Sequence, residues 1–314
     1  GSVPLHEAMQ NDRLIVVGDP GAGKTTFVRR VAHALCETEL GLVPQAARER
    51  LRIGDRTFPV LVRLSDLAQH LDKDQHAVPP PGTPDAPAWL PHYLGAASAD
   101  NGWSLGPDFF RQQLEAGLCT VLLDGLDEAP ERTVRERIAR LIQNAARTYR
   151  RCRFVVTSRP ATNVGEAVLP GFAQANISPL SDEMVVKFLT EWCTALCGEG
   201  TDAAREHLAE LLEAVRARPE IHRMARNPVM LTALAVVHWN ERRLPEQRAE
   251  LYNSIITWLA RSREQRQGRA TADETISVLQ ELALAMQDDR GGRKRQVAKR
   301  WGAERIAPKL MKVA

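Results

Sequence analysis

The chain has 314 residues, 44% of them apolar, and a formal net charge of +3. This length allows one large core or two to three smaller ones. The small net charge does not demand a nucleic-acid or membrane partner, and no apolar stretch is long enough to span a bilayer. The five cysteines show no metal-site spacing, so we expect reduced, packed thiols and a cytoplasmic location.

Residues 1–10 are predicted to be a lead-in, in which Gly1-Ser2 has the form of a cloning remnant. From residue 11 to 178, short runs rich in Val, Ile and Leu alternate with apolar residues at helical spacing, which predicts an α/β domain with a parallel sheet. The predicted strands are 13–17, 59–64, 120–124 and 153–157. The predicted helices are 25–36, 108–116 and 131–149. Residues 72–91, rich in Pro, Asp and His, are predicted to be a surface loop.

After residue 178 the pattern becomes helical, and no strong strand is visible. Ser181 is predicted to be an N-cap, because Asp182 and Glu183 follow it in the first turn. Asn227-Pro228 predicts a second helix start, with Pro at the first helical position. The α/β domain is therefore followed by helical lobes.

A stretch directly after the first strand matches the pattern G-x-x-x-x-G-K-[ST]. Its residues are Gly18, Asp19, Pro20, Gly21, Ala22, Gly23, Lys24 and Thr25. The glycines let backbone N–H groups point inward around phosphates, and the following helix adds its positive N-terminal end. Lys24 is predicted to reach the β- and γ-phosphates and Thr25 to ligate Mg²⁺. Thr26 is placed to add a hydroxyl near the α-phosphate.

The third predicted strand ends in three acidic residues, Asp124, Asp127 and Glu128. Ligands bind at the carboxyl ends of the strands in parallel α/β sheets. Asp124 is predicted to hold Mg²⁺ through a water beside Thr25. Asp127 and Glu128 are candidates for orienting or deprotonating an attacking water, with Glu128 the first choice. The alternative is a solvated acidic turn that caps the next helix.

The fourth predicted strand runs into Thr157-Ser158-Arg159-Pro160. A basic group at this edge would face the γ-phosphate, so Arg159 is predicted to sense whether that phosphate is present. The alternative is an ordinary surface arginine at a strand end.

These residues together resemble the NACHT family of STAND ATPases, which are relatives of AAA+ proteins. The more specific motif is Leu122-Leu123-Asp124-Gly125-Leu126-Asp127-Glu128, in which a small and an apolar residue separate the metal-binding Asp from a second acidic pair. The segment 157–160 is similar to the family's sensor 1 motif. Residues 226–231 resemble the family's helical-domain motif, whose proline packs near the adenine, and this assigns Pro228 to nucleotide binding.

The resemblance implies a P-loop NTPase of AAA+/STAND type that binds ATP or ADP. Its parts would be a nucleotide-binding domain over 11–178, a small helical domain over 179–243 and a winged-helix-like domain over 244–314. ATP is expected over GTP on the same ground, since no Asn-Lys-x-Asp sequence is present. Some relatives hold the β-phosphate of ADP with a winged-helix histidine, but no histidine follows His238 in this sequence.

The function that the resemblance implies is a signalling switch with slow, regulatory ATP hydrolysis. ADP would hold the module closed, and exchange for ATP would let it assemble into an oligomer. Sensor and effector domains are expected to flank the module outside these 314 residues. The Arg-rich composition favours a bacterial source, where such proteins include antiphage defence proteins.

Two other classes of function compete with the switch. An AAA+ ATPase acting on DNA would use the basic residues 290–295 with Lys299 and Arg300 as a wing that touches phosphates. We favour a solvated wing and expect no nucleic-acid partner, because no aromatic or base-reading element accompanies these residues. A non-hydrolysing scaffold is disfavoured by the complete set of Lys24, Asp124 and Glu128.

Overall fold

The chain folds into two compact units, Gly1–Ser178 and Pro179–Ala314. The structure, a computed structural model, describes residues 4–53, 57–73, 81–129, 131–160, 169–245, 248–264, 270–288, 297 and 299–313. Within these ranges, no helix combines the length and the apolar character needed to cross a membrane.

Five parallel strands form the sheet of the first unit. They are β1 (Arg13–Val17), β2 (Phe58–Arg63), β3 (Cys119–Asp124), β4 (Arg153–Ser158) and β5 (Ala173–Asn176). Their order across the sheet is β2-β3-β4-β1-β5, so β4 lies between β1 and β3. All six residues of β3 are buried, as expected where helices cover both faces of a parallel sheet. The predicted α/β class with a parallel sheet is confirmed.

Helices pack on both faces of this sheet. They are α1 (Leu5–Ala8), α2 (Lys24–Glu39), α3 (Ala46–Leu51), α4 (Leu64–Lys73), α5 (Trp89–Asp100), α6 (Pro107–Ala116) and α7 (Arg132–Thr148). Side chains alternate along a strand, so Leu14 and Val16 of β1 join one core cluster with residues of α2 and α3. Ile15 and Val17 join the other cluster, with residues of α4 to α7.

The loop predicted over residues 72–91 is helical at both ends. Helix α4 continues to Lys73, residues 74–80 lie outside the described part, and α5 already begins at Trp89. The side chains of Trp89 and Leu90 are buried in the core of the unit, and Trp89 Nε1 donates to the Thr83 carbonyl at 2.9 Å. Pro91 is tolerated because it lies in the first turn of the helix, where its missing N–H is no loss.

The second unit is helical throughout its described residues. Its helices are α8 (Asp182–Cys197), α9 (Asp202–Arg216), α10 (Pro219–Ala225), α11 (Pro228–Glu241), α12 (Arg248–Glu264), α13 (Ala272–Gln287) and α14 (Lys299–Val313). Both predicted helix starts are confirmed. The Ser181 hydroxyl accepts from Met184 N, and the Asn227 side chain accepts from Val229 N and Met230 N.

The winged-helix-like domain predicted over 244–314 corresponds to α12, α13 and α14 in the part that the structure describes, and no strand occurs among those described residues. The basic residues 290–295, predicted as a wing, lie outside the described ranges. A winged helix at this end of the chain therefore stays a prediction.

Two histidines are buried side by side in the second unit. The ring centroids of His207 in α9 and His238 in α11 are 5.2 Å apart, and Arg242 Nη1 lies 3.4 Å from His207 Nδ1. Burial lowers the pKa of both rings. Arg242 lowers the pKa of His207 further, and His207 lowers that of His238, while Glu210 acts in the opposite direction on both. Folding therefore favours two neutral rings.

Acid should destabilise this unit. The pKa values in the folded state lie below the unfolded value of about 6.5, so the unfolded chain binds more protons and stability falls as the pH drops below that value. We expect the thermal midpoint, followed by circular dichroism from about pH 7.5 to about pH 5, to fall in the wild type and to fall less in His207→Phe. His33→Asn, which alters an exposed histidine of α2, should behave as the wild type. Equal acid sensitivity in His207→Phe would contradict this assignment.

Candidate nucleotide-binding site

The predicted phosphate loop lies between the end of β1 and the start of α2. Helix α2 begins at Lys24, and its N-cap residue, Gly23, has a φ of 97°. Gly21 also has a positive φ, 78°. Residues with a Cβ rarely adopt this conformation, so the loop requires glycine at both places. The unpaired N–H groups of the first turn of α2 make this end of the helix favourable for an anion.

Gly18 fixes the loop to the neighbouring strand. Its N–H donates to the carbonyl of Ser158, the last residue of β4, at 3.1 Å. A Cβ at Gly18 would lie 3.3 Å from side-chain atoms of both Ala22 and Ile177, so the loop closes tightly over the strand end. Asp19 and Pro20, at the tip, are exposed.

The Lys24 side chain lies across the loop. Its Nζ donates to the carbonyl of Gly18 at 2.7 Å and to that of Asp19 at 3.1 Å. Partial burial lowers the pKa of Lys24, and Arg159 lowers it further, whereas Asp127 and Asp124 raise it. The predicted residues Lys24, Asp124, Asp127 and Arg159 are therefore close enough to influence one another.

The side chain of Asp124, at the end of β3, is held by a buried hydrogen-bond chain. The Thr157 hydroxyl donates to Asp124 Oδ1 at 2.7 Å and accepts from Gly125 N at 2.8 Å. Asp124 and Thr157 are both buried. The carboxylate is thus oriented by β4, and Thr157 has a supporting role that the sequence motif did not assign.

Asp127 and Arg159 form an ion pair at the same edge of the sheet. Arg159 Nε lies 2.6 Å from Asp127 Oδ2, and the Asp127 side chain is 3% exposed while that of Arg159 is 37% exposed. Asp127 Oδ1 is buried with no hydrogen-bond partner among the described residues. Sequence reasoning placed both residues near a phosphate but did not pair them.

Glu128 follows in a short 3-10 helix, Leu126–Glu128. Partial burial of its carboxyl group raises the pKa of Glu128, and Asp124 and Asp127 raise it further, while Arg159 and Arg63 oppose them. Unlike Asp127, the Glu128 residue is exposed. A solvent-accessible carboxylate with a raised pKa is a better proton acceptor near neutral pH than an unperturbed one.

Arg63 is a charged residue of this edge that sequence reasoning missed. It is the last residue of β2, and its Cα pairs in register with that of Asp124. The only sign in the sequence is a basic residue at the end of an apolar run, the same pattern that marked Arg159.

The remaining predicted residues divide between the two units. Thr25 is half-buried and Thr26 is exposed, both in the first turn of α2. Pro228 is the first residue of α11, in the second unit. Its contact with an adenine therefore stays a prediction.

A nucleotide phosphate and Mg²⁺ suit these side chains. The loop offers backbone N–H groups, a helix N-terminus and Lys24, and a hydroxyl and a carboxylate, Thr25 and Asp124, are hard oxygen ligands for Mg²⁺. In the described ranges, no group of three or more His, Cys, Asp or Glu residues could hold a metal. Mg²⁺ is usually bound through one or two protein oxygen ligands together with waters and substrate phosphates, and Thr25 and Asp124 can supply the protein ligands.

Comparison with known proteins assigns no family. No family model matches the chain, and no curated protein matches it. Among solved structures, the chain is similar to AMPPCP-bound DnaA from Aquifex aeolicus, with 12% sequence identity and a TM-score of 0.40 over 98% of this chain and 85% of that chain. A similarity of this size carries no argument about activity or partners, and the fold class rests on the sheet described above.

Gly125 allows a direct test of the acidic turn. Its φ is 81°, and a Cβ there would lie 2.8 Å from Glu128 Cδ. Gly102 is a matched control, because its φ is 72° and a Cβ there would meet no atom within 4 Å. We expect Gly102→Ala to lower the free energy of unfolding by about 1–2 kcal/mol through backbone strain alone.

Gly125→Ala should cost only slightly more than Gly102→Ala, because the Glu128 carboxyl group that it must displace is the end of an exposed, flexible side chain. Urea unfolding of each variant gives the difference. In a Glu128→Ala background the two glycine substitutions should cost the same. If the excess cost of Gly125→Ala persists there, the Glu128 contact is not its cause.

Proposed function

We propose that the chain binds ATP together with Mg²⁺ and hydrolyses the nucleotide slowly. The observation that supports this best is the convergence of three strand ends, which brings Lys24, Asp124 and Arg159 to one edge of the sheet. A glycine loop alone would bind an anion. A loop accompanied by a buried carboxylate and an arginine also provides for a metal ion and for a terminal phosphate.

Each residue has a proposed role. Backbone N–H groups of Gly21 and of residues 23–25 surround the phosphates, with the Lys24 side chain on the β- and γ-phosphates. Thr25 and Asp124 bind Mg²⁺, which when bound would neutralise charge on the phosphate oxygens. Glu128 polarises the attacking water, since it is the accessible carboxylate of the acidic turn. Arg159 contacts the γ-phosphate.

We further propose that the nucleotide controls a switch of the NACHT type. The support is the sequence motif at residues 122–128, together with a helical second unit for which a small-molecule kinase has no evident use. In this proposal ADP holds a resting state, and ATP promotes self-association of a cytoplasmic protein that serves signalling or antiphage defence, with sensor and effector domains at its flanks. The alternative function, an AAA+ ATPase that acts on DNA, is supported only by the basic sequence of residues 290–295, because these residues lie outside the described ranges.

The first experiment identifies the bound nucleotide. Purified protein is denatured, and the released nucleotide is identified by chromatography. We expect ADP or ATP from the wild type and none from Lys24→Ala, because this substitution removes a charge-assisted contact to the phosphates, which weakens binding by about 10- to 100-fold. Size-exclusion chromatography of the native protein should show a larger species with ATP than with ADP. A wild type that releases nothing and has no micromolar-range affinity for either nucleotide would overturn the proposed function.

A second experiment tests Glu128. Glu128→Gln should retain ATP affinity and lower the rate of hydrolysis by about 100-fold, the usual size of a general-base contribution. The raised pKa adds a pH signature. Wild-type activity should decline as the pH falls through the pKa of Glu128, above its ordinary value of 4.5, and the residual activity of Glu128→Gln should lack that decline. A full rate in Glu128→Gln would exclude this role.

A further inference from the structure

The Asp127–Arg159 ion pair is asymmetric in its exposure to solvent. The Asp127 side chain is almost completely buried, whereas more than a third of the Arg159 side chain is accessible. A buried carboxylate is costly unless it is paired, so this contact keeps Asp127 in place. Arg159 is the partner from which a ligand in solvent can be contacted.

The geometry of Asp127 does not suit activation of water. Its Oδ2 faces Arg159 Nε at 2.6 Å, and its Oδ1 is buried away from solvent. A general base must lie within hydrogen-bond reach of the proton that it removes. Glu128, one residue further on, is exposed and free of this constraint.

The Arg159 backbone is fixed from the other side. The carbonyl of Ser158 accepts from Gly18 N at 3.1 Å, so the chain leaves β4 directly beside the first residue of the phosphate loop. Arg159 is also near enough to Lys24 to lower the pKa of that ammonium group. The guanidinium is thus held against the acidic turn by Asp127, and the backbone that carries it lies beside the phosphate loop.

Fixing an arginine in advance strengthens its contact with a ligand. An unrestrained arginine loses about 2 kcal/mol of side-chain entropy when it is immobilised, and a side chain that is already held avoids much of that loss. The guanidinium of arginine is a planar fork with five N–H donors in a fixed geometry. A phosphate oxygen is a suitable acceptor for such groups.

We propose that Asp127 is a positioning residue, which holds Arg159 toward the phosphate loop so that a terminal phosphate is recognised through the arginine. This inference rests on the proposed nucleotide function. It assigns the preference for a triphosphate over a diphosphate to the Asp127–Arg159 pair and leaves water activation to Glu128 alone.

A double-mutant cycle tests the proposal. The affinities for ADP and for a non-hydrolysable ATP analogue, and the kcat for ATP, are measured with Mg²⁺ for the wild type, Asp127→Asn, Arg159→Ala and the double variant. Asp127→Asn should weaken binding of the ATP analogue about tenfold, which is the size of one charge-assisted contact. It should weaken binding of ADP less than about twofold. In the Arg159→Ala background, Asp127→Asn should cause no further change in either affinity or in kcat.

Two further variants keep the test interpretable. Asp108→Asn removes an exposed carboxylate that pairs with Arg111 at 2.8 Å, and it should match the wild type in every measurement. Asp127→Glu keeps the charge but lengthens the side chain by one methylene, which moves Arg159 while a carboxylate stays beside its guanidinium. It should reproduce the loss of triphosphate preference, and urea unfolding of the same variant measures the cost of the added methylene, about 1–3 kcal/mol.

The remaining outcomes are distinct. If Asp127→Asn lowers kcat without changing affinity, and does so equally in the Arg159→Ala background, Asp127 acts on water and the positioning role is refuted. If Asp127→Asn weakens binding of ADP and of the analogue equally, the role of Asp127 is only structural. If the wild type binds neither nucleotide and Lys24→Ala is indistinguishable from it, the proposed function itself fails and this inference falls with it.

Discussion

The parallel pairing of β1 with β4 determines where the charged groups of the first unit lie. Val17 pairs with Ser158 at the carboxyl end of both strands, and the hydrogen bond from Gly18 N to Ser158 O continues this pairing into the phosphate loop. Strand β4 also pairs with β3, so Thr157 can hold Asp124 from the other side. A shift of one residue would reverse the faces of β4 and separate these groups.

The backbone conformation of the site restricts which residues can form it, as the chemistry of its side chains does. Gly21, Gly23 and Gly125 all have positive φ values, and Gly18 lies where a Cβ would crowd two neighbours. These positions turn the chain sharply after β1 and after β3, the two strands that flank β4. Glycine adopts these conformations without strain but loses more conformational entropy on folding than other residues, and burial of the large apolar clusters on both faces of the sheet offsets that loss.

Much of this fold could be predicted from the sequence, and the exceptions have physical causes. Four strands were predicted to within one residue at each end, because their apolar runs are bounded by turns and polar residues. Strand β5, Ala-Gln-Ala-Asn, was missed since it lies at the edge of the sheet and is only half-buried. Helix α5 was not predicted, and its first residues were assigned to a loop because prolines lie on both sides of Trp89, whereas burial of Trp89 and Leu90 outweighed that local signal.

The candidate site was predicted as a set of residues but not as a set of contacts. Motifs name the acids and bases, and strand order brings them together, but only packing decides that Asp127 is buried against Arg159 while Glu128 faces solvent. The result is a nearly balanced group of charges, with Lys24 and Arg159 opposite Asp124 and Asp127. Burial lowers the pKa of Lys24 and raises that of Glu128, so the site disfavours extra charge of either sign. A triphosphate is therefore best accommodated together with a divalent cation. This requirement explains why Asp124 and Thr25, the two proposed ligands of that cation, lie beside the phosphate loop.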